Sequence, residues 1–347
     1  MKQKHRAAVL SAVKQIQIAK RDFPPLQPNE AIIRVRLSGV CGTDIALFDG
    51  DYDVPLPLVL GHEFVGEVVE VGSESGEDWI GKRVTAEINN TCRAYRREVF
   101  CPACGRGLSN HCVKRTVVGI INYDGAYAQL LRVPIANLHV LPTEISWEEG
   151  VFIEPLAAAI QTLELTPISA SNKVVVLGVG RLGLLICAVA AMRNAQVCAV
   201  SRTQAKLDRA LAWGAVEAIN TKTAVCHDWI EAVRQWSGGL GADVVVDATG
   251  NPDGFRLASE IVRPRGTIAL KTTCGLPATG IDVTKLVVDE VQIHTSRCGP
   301  FSKAIGLLSR GHLPVESLIS EIFPLERVTE AIESARSATK ILIAPNG

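Results

Sequence analysis

Cys41, His62 and Glu154 are three side chains able to share one metal ion. Cys41 stands in Gly39-Val40-Cys41-Gly42-Thr43-Asp44 and His62 in Gly61-His62-Glu63, about 20 residues on; Glu154 stands in Phe152-Ile153-Glu154-Pro155-Leu156-Ala157. One thiolate, one imidazole and one carboxylate make a catalytic zinc set, because three protein donors leave a fourth position for water or substrate. A lone buried Cys or His is usually structural. The three together, just ahead of a nucleotide-binding pattern, weigh for metal.

That pattern is Gly178-Val179-Gly180-Arg181-Leu182-Gly183, a G-x-G-x-x-G run. It follows the β-branched stretch Lys173-Val174-Val175-Val176-Leu177 and opens a helical segment, which is the context the motif requires. The first glycine makes a tight turn and the second lets backbone amides approach a pyrophosphate. The third lets helix and strand pack closely, and the helix N-terminus favours the anion. Arg181 and Leu182 complete the turn. An acid at the end of the second strand would bind the ribose 2′-OH and repel a 2′-phosphate. Here the chain reads Val200-Ser201-Arg202-Thr203, with Lys206 one helical turn on. Ser201 can donate a hydrogen bond and Arg202 can pair with a phosphate, so NADP(H) is expected over NAD(H). Thr249 and Arg297, at later strand ends, are further candidate cofactor contacts.

Four of the ten cysteines cluster at Cys92, Cys101, Cys104 and Cys112. Without an export signal such a cluster reads as a metal site before disulfides. Cys187, Cys198, Cys226 and Cys274 read as buried or incidental. Lys plus Arg and Asp plus Glu number 36 each, so no charge excess argues for nucleic acid or a membrane surface. No uncharged apolar run approaches the roughly 18–20 residues that span a bilayer. A cytoplasmic protein acting on a small molecule is the expectation.

These groups need rigid elements to place them. Short β-type runs at 31–37, 64–71, 82–88 and 126–133, punctuated by Gly and Pro, suggest a small barrel-like domain. From Asn172 strands and helices alternate: strands at 173–177, 196–200, 216–219, 243–247, 267–271 and 291–295, helices at 182–193, 203–213 and 227–237. This alternation means a doubly wound parallel sheet. Helices at 301–310 and 328–337 and a strand at 340–344 close a tail that could return to the first domain.

The chain resembles the zinc-dependent medium-chain dehydrogenases, the family of alcohol, sorbitol and threonine dehydrogenases. The resemblance implies an α/β protein: a GroES-like catalytic domain from residues 1–155 and 296–347, and a Rossmann domain over 156–295. It implies Cys41, His62 and Glu154 as catalytic zinc ligands, with Glu63 exchanging with water on the metal. Asp44 matches the acid that orients the ligand His, and Thr43 the hydroxyl that bonds the zinc-bound alcohol. Ala46 stands where many relatives carry a proton-relaying His. The cysteine cluster matches a structural zinc lobe with a departure. Glu98 stands where the first cysteine belongs, so Cys92 is the favoured fourth ligand, with Glu98, His111 or an unmetallated lobe as alternatives. Ser296 to Pro300 match the segment that relatives bring toward the nicotinamide. Leu47, Phe48, Tyr52 and Phe301 are candidate substrate contacts.

The expectation is reversible hydride transfer between an alcohol and an aldehyde or ketone, in a homodimer or homotetramer. An NAD-linked polyol or amino-alcohol dehydrogenase is the alternative within enzymes, and a nucleotide-sensing or structural protein on the same fold the alternative outside them.

Overall fold

The computed structural model describes residues 4–23, 25–72, 77–223, 228–272 and 276–347. Cys226, Cys274 and the expected helix start at His227 lie outside the described residues. The chain divides into two compact units, Met1–Glu154 with Phe301–Gly347, and Pro155–Pro300.

Unit 1 is mostly strand. β1 (Lys4–Ala12) and β2 (Gln15–Asp22) form a hairpin. β3 (Glu30–Gly39) is followed directly by α1 (Gly42–Asp49), then β4 (Leu58–Val59), β5 (Glu63–Val71) and β6 (Arg83–Ala86). β3 buries every residue but Arg34 and Arg36, which point outward two apart, as the pleat demands. A lobe between β7 (Asn89–Asn90) and β8 (Thr116–Val117) carries the short α2 (Pro102–Gly105). β9 (Leu130–Pro134), β10 (Leu138–Val140) and α3 (Trp147–Gly150) complete this part. The run expected as one strand over 126–133 divides its duties. Tyr127 bonds along the backbone to Leu60 and Ala8, and the chain joins β3 from Gln129, whose carbonyl accepts from the Val35 amide.

α4 (Ile153–Leu165) begins with Pro155 in its first turn, where a missing N–H costs nothing. Unit 2 then alternates β11 (Lys173–Leu177), α5 (Arg181–Met192), β12 (Gln196–Ser201), α6 (Gln204–Ala212), β13 (Glu217–Asn220), α7 (Trp229–Trp236), β14 (Ala242–Asp247), α8 (Gly254–Ile261), β15 (Val262–Leu270), α9 (Val283–Val288) and β16 (Gln292–Thr295). All strands pair in parallel, in the order β13-β12-β11-β14-β15-β16. This is the doubly wound order, with the switch between β11 and β14. Val174 to Val176 are fully buried, as a central strand covered on both faces must be.

The tail supplies α10 (Phe301–Leu308), β17 (Ile319–Pro324), α11 (Val328–Ser334) and β18 (Lys340–Ala344). It returns to unit 1: β18 pairs antiparallel with β3 and parallel with β17, giving the sheet order β10-β6-β5-β3-β18-β17 with β9 also on β3.

Candidate functional site

Three strand ends meet in unit 1. In the β3–β5 ladder Gly39 lies opposite Glu63, and β18 pairs with β3 through Leu342 and Gly39. Cys41, just past β3, therefore stands beside His62 and Glu63, at the start of β5. Ligand atoms of Cys41, His62 and Glu63 all lie within 4.8 Å of one another, and His62 and Glu63 are buried. A thiol, an imidazole and a carboxylate so close suit a zinc ion.

Asp44 organises this corner. It lies in the first turn of α1, where an acid also suits the helix dipole, and is fully buried. Its carboxylate accepts from the Cys41 amide at 2.9 Å, the Gly61 amide at 3.3 Å and the Tyr127 hydroxyl at 2.9 Å. His62 Nδ1 lies 3.2 Å from Asp44 Oδ1. Burial opposes ionisation of both groups. Their mutual attraction outweighs it, so Asp44 sits below the usual carboxylate range and His62, also facing Cys41, well above the usual imidazole value. Burial and the Asp44 charge together hold the Tyr127 phenol neutral.

Glu63 has its own partner. The Lys340 ammonium, from the start of β18, is bonded to Glu63 Oε2 and reaches the Val40 carbonyl at 3.4 Å. Gly39 makes the space, since a Cβ there would fall 2.5 Å from Glu63 Oε2 and 2.7 Å from Lys340 Nζ. Glu154, half-buried in the first turn of α4, is not among the gathered donors. The sequence gives the third ligand position to Glu154 and an exchanging role to Glu63; the structure groups Glu63 with Cys41 and His62. Thr43 is half-buried in the first turn of α1, and Ala46 lies on the same helix.

The lobe gathers Cys92, Cys101, Cys104 and Cys112, all buried, none in a disulfide. Cys112 Sγ is 3.5 Å from Cys92 Sγ and 3.7 Å from Cys101 Sγ. A tetrahedral zinc with bonds of about 2.3 Å sets its sulfurs about 3.8 Å apart, whereas a disulfide would need about 2 Å. Glu98 and His111 are exposed and outside the cluster. The Cys104 amide, donating to Cys101, lowers that thiol to about 6. Burial raises Cys104.

In unit 2 each glycine of the loop has a separate reason. Gly178 takes φ +84°, and a Cβ there would lie 2.7 Å from Thr249 Cα. Gly180, the N-cap of α5, has nothing within 4 Å of an added Cβ, so its face is open to a ligand. A Cβ on Gly183 would meet the Gly178 carbonyl at 2.0 Å. Beside the loop lies a cavity of about 360 Å³ whose walls include Gly178, Gly180, Ser201, Arg202, Lys206 and Thr249. This open cradle under a helix N-terminus fits a dinucleotide. Arg181, Leu182 and Arg297 are not among its walls. Thr249 donates through its amide and hydroxyl to Asp247, whose carboxyl burial raises.

Four residues escaped sequence reasoning. Tyr127 and Lys340 act through partners 83 and 277 residues away, with no local motif. Trp229 lines the cavity from the first position of α7. Lys271, just past β15, is 9% exposed and donates to the Arg297 carbonyl at 2.7 Å; a charged residue ending a buried strand was the available signal.

Comparison with known proteins agrees with this anatomy. The family described as Alcohol dehydrogenase GroES-like domain matches residues 27–143, and Zinc-binding dehydrogenase matches 182–310. D-xylulose reductase A of Aspergillus niger is 30% identical, over 97% of this chain and 95% of its own length. The alcohol dehydrogenase of Thermus sp. ATN1 superposes with TM-score 0.86 at 30% identity, covering 98% of this chain and 99% of its own. A zinc-binding dehydrogenase target of Sinorhizobium meliloti 1021, solved bound to NADP, gives TM-score 0.89 at 27% identity, covering 99% and 100%.

Proposed function

The chain belongs to the zinc-dependent medium-chain dehydrogenases, oxidoreductases acting on CH–OH donors, and from that premise we propose that it interconverts an alcohol and an aldehyde or ketone by hydride transfer with NADP(H). The gathered Cys41, His62 and Glu63 donors carry this reading.

Zinc supplies Lewis acidity, lowering the pKa of a bound alcohol or polarising a bound carbonyl. NADP(H) supplies the hydride acceptor or donor at its nicotinamide C4. Cys41, His62 and Glu154 would hold the metal, with Glu63, gathered beside Cys41 and His62, exchanging with water on it. Asp44 faces Nδ1 of His62 at 3.2 Å, which leaves Nε2 for the metal, the usual role of an outer acid. Thr43 relays the substrate proton. Ala46 cannot pass it on, so it leaves by another route. Cys92, Cys101, Cys104 and Cys112 hold a second, structural zinc.

The loop glycines and the N-terminus of α5 take the pyrophosphate, with Arg181, Leu182, Thr249 and Arg297 as accessory contacts. Ser201, Arg202 and Lys206 recognise the 2′-phosphate; β12 ends without the acid that would repel it.

The xylulose reductase name of the Aspergillus relative favours a polyol among alcohol substrates. On α9 Val283, Val287 and Val288 are 64–73% exposed, and Ile293 on the edge strand β16 is 45% exposed, which supports a homo-oligomer. No described helix is long and apolar enough to cross a membrane. Four thiols meant for zinc need a reducing compartment, which supports a cytoplasmic location.

The test is a panel of polyols, simple alcohols and their carbonyls, assayed with NADP(H) and NAD(H) on zinc-quantified protein. Turnover with higher kcat/KM for NADP(H) is expected. No turnover with any pair overturns the reading, and an NAD(H) preference overturns its cofactor half.

A further inference from the structure

The chain's zero net charge conceals a local excess. Between Cys92 and Val117 the cysteine lobe carries Arg93, Arg96, Arg97, Arg106, Lys114 and Arg115 against a single acid, Glu98. Arg115 is half-buried and the other five cations are exposed. Among the described residues none of the six forms a salt bridge. Arg93 donates to the Cys104 carbonyl at 2.9 Å and lies 4.8 Å from the centre of the Phe100 ring, and Arg97 lies 5.8 Å from that of Tyr95.

The same lobe leaves apolar side chains in water. Val99, Phe100, Leu108 and Val113 are 42–78% exposed. The gathered thiols keep them close. Phe100 precedes Cys101 and Val113 follows Cys112, and the sulfurs of these two cysteines lie 3.7 Å apart. The Val113 amide also faces the Cys101 thiol. The Leu108 amide donates at 2.9 Å to the carbonyl of Ala103, the residue before Cys104. Cations and apolar side chains thus share one small, cross-braced lobe.

That combination discriminates among anionic partners. A nucleic acid would use the cations and the rings of Tyr95 and Phe100, but would gain little from Val99, Leu108 and Val113. A two-fold contact of the lobe with a second copy would set six cations against six. An anionic bilayer uses both kinds of side chain. Its headgroups attract the cations, and its interface takes exposed apolar groups out of water. We propose that the cysteine lobe docks this protein reversibly on anionic phospholipid surfaces. This goes beyond the catalytic reading and does not rest on it.

Vesicle sedimentation tests it on the full-length protein. The vesicles are phosphatidylcholine alone, or phosphatidylcholine with about 30% phosphatidylserine. Phosphatidylserine should strengthen binding about tenfold or more at about 0.1 M salt, and about 1 M salt should abolish the difference. Arg96→Glu with Arg97→Glu should weaken binding to the anionic vesicles about tenfold or more. Val99→Ser with Val113→Ser should weaken it several-fold at unchanged charge. Zinc content should stay at the wild-type value in both. No gain from phosphatidylserine, or either double variant binding like the wild type, overturns the proposal. Tighter binding to single-stranded RNA, unmoved by Val99→Ser with Val113→Ser, also overturns it, as does a self-association that Arg96→Glu with Arg97→Glu removes. Should a double variant not fold, the wild-type comparison of the two vesicles still decides.

Discussion

Lys340 and Glu63 form a buried ion pair at the rim of the metal cluster, joining the start of β18 to the start of β5. They are 1% and 2% exposed, so water screens neither. Breaking such a pair from one side leaves an uncompensated charge. Lys340→Met should therefore destabilise the metal-free protein by about 3–5 kcal/mol. Zinc should restore part of that loss, because the metal then takes up the Glu63 carboxylate. Urea unfolding with and without zinc measures both effects; a loss under about 1 kcal/mol contradicts the buried-pair account.

Metal content separates the two clusters. The protein should hold two zinc ions per chain. Cys92→Ser should leave one, while Glu98→Gln and His111→Gln should leave two. Elemental analysis after exhaustive dialysis reads the count, and a two-zinc Cys92→Ser protein would remove Cys92 from the ligand set.

Cofactor choice should turn on Arg202. Removing a guanidinium that pairs with a phosphate removes a charge-assisted, often bidentate contact of about 1.5–3 kcal/mol. Arg202→Ala should therefore lower kcat/KM for NADP(H) by about ten- to a hundredfold and leave NAD(H) nearly unchanged. An equal fall for both cofactors would assign Arg202 to the fold rather than to the 2′-phosphate.

Unit 2 should show an acid limb from Asp243. Its carboxylate accepts the Lys173 amide at 2.7 Å and pairs with Arg263 Nε at 2.7 Å, tying β14 to β11 at the switch point. Burial opposes its charge, but these donors prevail and hold it below the usual carboxylate range. The folded pKa lies under the unfolded one, so the unfolded chain binds the proton first. The stabilisation is present above the unfolded value of about 3.9 and is lost as pH falls through the folded value. Asp243→Asn should cost about 1–3 kcal/mol at neutral pH. It should also flatten the acid slope of stability below about pH 4, and an unchanged slope contradicts this assignment.

The local chemistry was legible because it is local. Gly178, Gly180 and Gly183 announce their turn within six residues, and Val174 to Val176 announce a doubly covered strand. Cys101, Cys104 and Cys112 likewise fit one short lobe; only their distance from Cys92 obscured the fourth thiol. What stayed hidden depends on ladders. Lys340 meets Glu63 only because β18 and β5 both flank β3 with Gly39 at the crossing. Tyr127 reaches Asp44 only because its strand bonds to Leu60 before turning onto β3.

Cys41→Ser tests the central claim most directly, measured at once for zinc content, NADPH affinity and turnover on the alcohol and carbonyl panel. One zinc lost per chain, turnover abolished and NADPH affinity unchanged are the predicted results. A Cys41→Ser protein that keeps both zinc ions and wild-type turnover contradicts a catalytic zinc at this site.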